Sequence, residues 1–185
     1  MDVGLIAEMI AGRYGGFPDP LTEALTAHSI DRSERDTYSR DDVRIRSKSR
    51  NLTQEVHLGV LEGVTLPEGG DWGYSQGWIP DDILVVEAPT SVEGGQSPSR
   101  SGERRDSTTE LLGYYAVEVK AVASGNRVRL TKNQREMMAT VSEEVDRVHP
   151  VIVIVDVGGL PESVEVGVDI YAESVWADGQ LSKTV

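Results

Sequence analysis

Tyr114–Met138 reads YYAVEVKAVASGNRVRLTKNQREMM, and the arrangement of the whole chain turns on it. Its first half alternates apolar and charged residues with a period of two, the signature of a β-strand. On such a strand Glu118 and Lys120 project to one face, and Val117 and Val119 to the other. The second half is a helix start: Thr131 stands where an N-cap belongs, and Gln134, three residues on, completes a capping box. Met138, Val141 and Val145 continue as a helical apolar stripe. Strand and helix are followed by VIVIVDV (151–157), an apolar run without alternation, as expected of a strand covered on both faces. A helix between two such strands implies a crossover connection and a mixed sheet.

Working outward, DILVVEAP (82–89) reads as a strand ended by proline, and SVEVGVDIYA (163–172) as a last strand. RVRL (127–130) reads as a short strand after the SGN turn. RIRSKSRNLTQEVHLGVLEG (44–63) is expected to be a helix, because Val56, Val60 and Val64 recur near a period of 3.6 with Leu52 and Leu61 beside them. LPEGGDWGYSQGWIPDD (66–82) is a turn-rich bridge with room for a short strand around Trp72–Trp78. PTSVEGGQSPSRSGERRDSTTE (89–110) holds almost nothing to bury and is expected to be a flexible loop. The expected organisation is an N-terminal extension over 1–44 with a weak helix or two, one α/β domain over 45–175, and a tail over 176–185.

Composition narrows the class. The chain has 185 residues, 38% hydrophobic and 5% aromatic, so its core is aliphatic. With no cysteine, a disulfide scaffold, a thiolate zinc site and a cysteine nucleophile are excluded. The first residues carry an early acid and no basic region, unlike a secretory signal. The longest apolar run is too short to span a bilayer. A soluble, cytoplasmic protein without a membrane partner is the expectation. The net charge is −13, and only four lysines stand among the 18 basic residues. Many acids, arginine above lysine, one phenylalanine and no cysteine resemble the proteins of salt-in halophiles. In molar salt, charge repulsion is screened within a few ångströms, so an acidic balance does not exclude a nucleic-acid partner.

A lysine on a strand of this chain calls for a reason. Glu118 and Lys120 would each lose several kcal/mol of hydration if buried, and their attraction alone often does not restore it. A divalent cation and a phosphate would supply the missing partners. Asp81 and Asp82 open the preceding strand, and an acid there set beside Glu118 makes a hard-oxygen pair suited to Mg²⁺ or Mn²⁺. The plain alternative is a solvent-facing ion pair contributing about 0–1 kcal/mol. His28, His57 and His149 show no metal-ligand spacing and read as structural or surface residues.

The pattern PDD…VEVK resembles the PD-(D/E)xK nuclease superfamily, in which an acid opens one strand and Glu-x-Lys lies on the next. The segment RVRLTKNQREMM…VHPVIVIVDV is similar to the stretch after Glu-x-Lys in restriction-type endonucleases and NO VEIN C-terminal-like domains. The resemblance covers roughly residues 45–157. It implies a restriction-endonuclease-like mixed sheet flanked by helices, with an αβββαβ core. It further implies Mg²⁺- or Mn²⁺-dependent hydrolysis of phosphodiesters, with DNA the expected substrate and a homodimer plausible for cutting both strands. By position, Glu118 would be the second metal carboxylate and Lys120 the catalytic lysine. Asp82, directly before the apolar strand, is preferred as the first acid, although the literal Pro–Asp pair is Pro80–Asp81. Glu55 is the candidate acid on the first helix, or a solvated helix residue. Gln134 would reach the site from the second helix, cap that helix, or do both. Lys132 would contact a phosphate, and Arg100, Arg104 and Arg105 would touch the DNA backbone unless they are simply solvated. The alternative implied by the same fold is a catalytically inactive DNA-binding or protein-interaction module.

Overall fold

The computed structural model describes residues 16–33, 38–48, 58–67, 78–90, 109–123 and 130–170. Within them five strands form one mixed sheet, with strand order following chain order from β1 to β5. The elements are α1 (Asp19–Arg32), β1 (Arg44–Ser47), β2 (Asp82–Pro89), β3 (Thr109–Val122), α2 (Lys132–Glu144), β4 (Val148–Asp156) and β5 (Glu165–Ile170). β1, β2 and β3 form an antiparallel meander, and β4 pairs with β3 in parallel after the α2 crossover. β5 returns antiparallel to β4. The class is therefore mixed α/β, in the element order αβββαβ plus one further strand.

Alternation sorts the strand residues into two cores. Ile83 and Val85 of β2, Tyr114 and Ala116 of β3, and Val148 and Ile152 of β4 pack with Met138, Val141 and Val145 around α2. Leu84, Val86, Tyr115, Val117, Val151, Val153 and Val155 fill the other face with Leu21 and Leu25 of α1. β4 is thus covered on both sides, and its unbroken Val/Ile run follows from that. Deleting its centre, Ile152→Ala, is expected to lower stability by about 2–5 kcal/mol in urea unfolding, since the residue is fully buried.

Several expectations change. The stretch 44–63 does not begin as a helix: Arg44–Ser47 is an edge strand paired with Leu84–Glu87. RIRSK also has period two, and pairing with β2 buries Ile45 against the α1 face while leaving Arg44 and Arg46 on the other. Among the described residues of the rest, helical structure is confined to a 3₁₀ turn at Leu58–Val60, where Leu58 and Leu61 enter the α2-side core. Leu52 and Val56 lie outside the described residues, as does most of the expected strand around Trp72–Trp78. Leu130, the last residue of RVRL, is in coil, and residues 124–129 are not described. α1 falls in the stretch read as an extension, yet Leu21 and Leu25 are almost wholly buried against the sheet, so this helix belongs to the core. β2 and β3 extend as far as Pro89 and Thr109 into the ends of the expected loop, the rest of which is not described.

The start of α2 matches its sequence signal. Thr131 Oγ1 accepts the Gln134 N–H at 3.2 Å, and Gln134 Oε1 accepts the Thr131 N–H at 3.0 Å. Thr131→Ala removes the first bond and is expected to cost about 1 kcal/mol, measurable as a lower urea midpoint with unchanged slope. Among the described residues no helix is long and apolar enough to cross a membrane.

Candidate active site

Glu118 sits in the middle of β3 on the α2 face, and its residue is only 4% exposed. That removes the solvent-facing reading of Glu-x-Lys. Three donors converge on the carboxylate. Lys120 Nζ lies 2.6 Å from Oε1, Gln134 Nε2 lies 2.6 Å from the same oxygen, and Trp78 Nε1 donates to Oε2 at 2.7 Å. The two side chains at i and i+2 meet because the strand directs both to one face. Gln134 serves two ends at once: its Oε1 closes the capping box while its Nε2 holds Glu118. The α2 N-terminus is thereby fixed to the centre of the sheet.

Asp81 and Asp82 part company. Asp82 belongs to the α1 face with Leu84, where its Oδ1 accepts from Ser47 Oγ at 2.8 Å and from the Ile83 N–H at 2.7 Å. The sheet therefore stands between Asp82 and Glu118, and the preference for Asp82 as Glu118's partner is corrected. Asp81, one residue before β2, instead binds the β3 backbone beside Glu118: its Oδ2 accepts the Val119 N–H at 2.7 Å. The acid next to Glu118 is thus the one that follows Pro80 directly.

The other candidates fall elsewhere. Lys132 is largely exposed on the first turn of α2, with Nζ 3.5 Å from Glu136 Oε1, and does not join the Glu118 cluster. Glu55, Arg100, Arg104 and Arg105 lie outside the described residues. Trp78 was not singled out from the sequence; its only signal there is its place three residues before Asp81, in the segment that leads the chain into β2. Asp169 of β5 also lies on this face, in the row Glu118–Ile152–Asp169 across three strands. Partial burial holds its carboxyl above the usual carboxylate range.

On the α1 face the structure joins two of the histidines. His149 pairs across the strands with Tyr115, and the ring centroids of His28 and His149 are 4.8 Å apart. The Tyr115 hydroxyl is bonded to His28 Nδ1 at 2.8 Å and Ser29 Oγ at 2.6 Å. Burial, then repulsion by Arg32 and by His28 when protonated, pushes His149 down to about 3. His28 is lowered by burial and by Arg32, against a smaller opposing effect of Asp31. Burial raises Tyr115 to about 12. These groups are packed as neutral rings, a structural role.

Chemically, the site is a buried carboxylate, Glu118, bonded to a primary amine, with a second carboxylate, Asp81, bonded to the β3 backbone one residue on. Two carboxylates suit a divalent cation that completes its shell with waters and phosphate oxygens. Among the described residues no group of three His, Cys, Asp or Glu side chains gathers as a metal site. A carboxylate offers about four acceptor positions. Oε1 of Glu118 already takes two donors, while Oε2 takes one and keeps an acceptor position for a cation. Compared with known proteins, the chain matches no family model, no curated protein and no solved structure.

Proposed function

We propose that the chain is a divalent-metal-dependent nuclease of restriction-endonuclease-like fold that hydrolyses phosphodiester bonds, with DNA as its substrate. The observation that carries this reading is Asp81 bonded to the Val119 N–H beside Glu118, with Lys120 bonded to Glu118. The αβββαβ order and the crossover that brings Gln134 to the same carboxylate support it. Asp81 and Glu118 would hold Mg²⁺ or Mn²⁺, which supplies Lewis acidity toward a phosphate oxygen and acidity to a bound water. Lys120 is the compact cation beside the reacting phosphate: it offsets the charge that develops there and orients the attacking water. Gln134 and Trp78 fix the Glu118 carboxylate in one rotamer, so the acid is oriented before substrate arrives. Arginine would not serve in place of Lys120, being forked, bulkier and permanently protonated.

A second reading has an observation of its own. The three donors on Glu118 close a network that is satisfied without a cation, as a non-catalytic module of the same fold would need. Supercoiled plasmid incubated in molar KCl with Mg²⁺ or Mn²⁺ separates the two. Nicking that stops with EDTA is expected for the nuclease. Absence of nicking together with absence of Mn²⁺ binding by the folded protein would establish the module.

A further inference from the structure

β1 carries a pattern that the proposed active site does not use. Arg44, Arg46 and Lys48 occupy every second position, the two arginines on one side of the strand and Lys48 one residue past its end. Ile45 between the two arginines is packed into the α1-side core, which assigns Arg44 and Arg46 to the α2 face, the face of Glu118 and Lys120. Among the described residues the strand is an edge, paired only with β2. Arg44 and Arg46 are exposed, and Lys48 is half-buried.

The stripe is ordered. Arg46 grips Glu87 through Nη2 at 2.6 Å and Nε at 3.2 Å. A guanidinium has five N–H donors, so three remain after this fork. Glu87 thus holds Arg46 in place without exhausting it. Lys48 extends the ladder by one residue, its N–H donating to the Ile83 carbonyl at 2.8 Å. Its charge also helps to hold the Glu87 carboxyl below the usual range, behind the larger effect of Arg46. The bond to Ile83 joins Lys48 to β2 two residues along the chain from Asp81, the proposed metal acid.

Edge protection explains charge on an outer strand, lysine above all. This chain has 31 acids against 18 bases, and an alternating run made wholly of bases runs against that composition. Cations about 6.8 Å apart, twice the rise of an antiparallel strand, form a linear array suited to a linear polyanion. Arginine adds the planar fork that matches a phosphate.

We propose that the outer edge of β1 is a track for the phosphodiester backbone of the substrate nucleic acid, with Arg44, Arg46 and Lys48 contacting successive phosphates and delivering the strand toward Asp81 and Glu118. The track rests on the nuclease reading for its destination, though binding along it is separable from hydrolysis. These three residues contact phosphate and carry no part in bond cleavage. Their contribution is sequence-independent positioning.

The test is fluorescence anisotropy of a labelled oligonucleotide, single-stranded and as its duplex, with the full chain in EDTA across 0.1–1 M KCl. Arg44→Gln/Lys48→Gln leaves the Arg46–Glu87 pair intact, and circular dichroism checks its fold. Removing two phosphate contacts is expected to make the slope of log K against log salt shallower by about 1.4–1.8, and to weaken binding about 30-fold at 0.1 M KCl. A parent that binds neither oligonucleotide, or a folded double variant with the parent's affinity and slope, overturns the track. A preference of the stripe for an acidic peptide over both oligonucleotides, in competition, overturns it as well. Stripe-dependent binding with neither plasmid nicking nor Mn²⁺ binding supports the track and removes the nuclease. Nicking with stripe-independent binding does the reverse.

Discussion

Lys120→Ala is expected to slow metal-dependent nicking of supercoiled plasmid by about 10²–10⁴-fold, the range for loss of one positioned group that assists proton transfer or stabilises the transition state. The expectation follows from where the amine stands. Its Nζ is held 2.6 Å from Glu118 Oε1, and its side chain keeps 24% of its exposure, so it is anchored at one end and open to a ligand at the other. Lys120→Arg is expected to leave the defect largely uncorrected, because the guanidinium replaces a point charge by a wide plane. Both are to be measured beside the parent as initial nicking rates at saturating Mn²⁺. An activity in Lys120→Ala within a few-fold of the parent would remove Lys120 from the mechanism.

The same variant also bears on stability, and the two effects need separating. Breaking a buried pair by removing one partner costs about 3–5 kcal/mol when the remaining charge is uncompensated. Here Glu118 retains Trp78 and Gln134 as donors, and Lys120 is partly solvated, so the lower end of that range is expected. Glu118→Gln removes the charge that Lys120→Ala would strand. The double variant should therefore be more stable than the sum of the single losses, by a coupling of about 0.5–3 kcal/mol in urea unfolding. Additive losses would mean that the two side chains do not act as a pair.

Acid is expected to unfold the chain through the opposite face of the sheet. His149 has an ordinary value of 6.5 that burial first, then His28 and Arg32, depress to about 3 in the folded protein. The unfolded chain therefore binds a proton that the folded chain refuses. The stabilising contribution is fully present above pH 6.5 and is lost as pH falls toward 3. At pH 5 a shift of this size corresponds to about 2 kcal/mol of lost stability. His28 acts in the same direction. Urea midpoints at pH 7 and pH 5 for the parent and His149→Gln make the measurement, and the variant should lose about 2 kcal/mol less than the parent over that interval. Equal losses would show that His149 does not govern the acid limb.

The alternation VEVK places Glu118 and Lys120 together from sequence alone, because a strand's side-chain period leaves no other arrangement. The box Thr131–Gln134 likewise locates the helix start, since its bonds join residues three apart. The unbroken VIVIVDV run marks a strand covered twice, and with the helix before it fixes the parallel crossover. All these signals are local, and they decide the class.

What remained depended on pairing between distant segments. RIRSK satisfies the rule for a strand within a stretch that also satisfies the rule for a helix, and only the bonds to β2 select the strand. Neighbouring Asp81 and Asp82 look equivalent in sequence, yet a shift of one residue sends a strand side chain through to the other face. The β2–β3 register therefore sets Asp82 on the face away from Glu118, while Asp81 binds the β3 backbone beside it. Trp78 reaches Glu118 across 40 residues of chain, and His28 reaches Tyr115 across 87. No local period encodes such contacts. Sequence by itself determined which residues share a face; the tertiary structure decided which face that was, because register is set by the burial of whole strands rather than by any residue in the site.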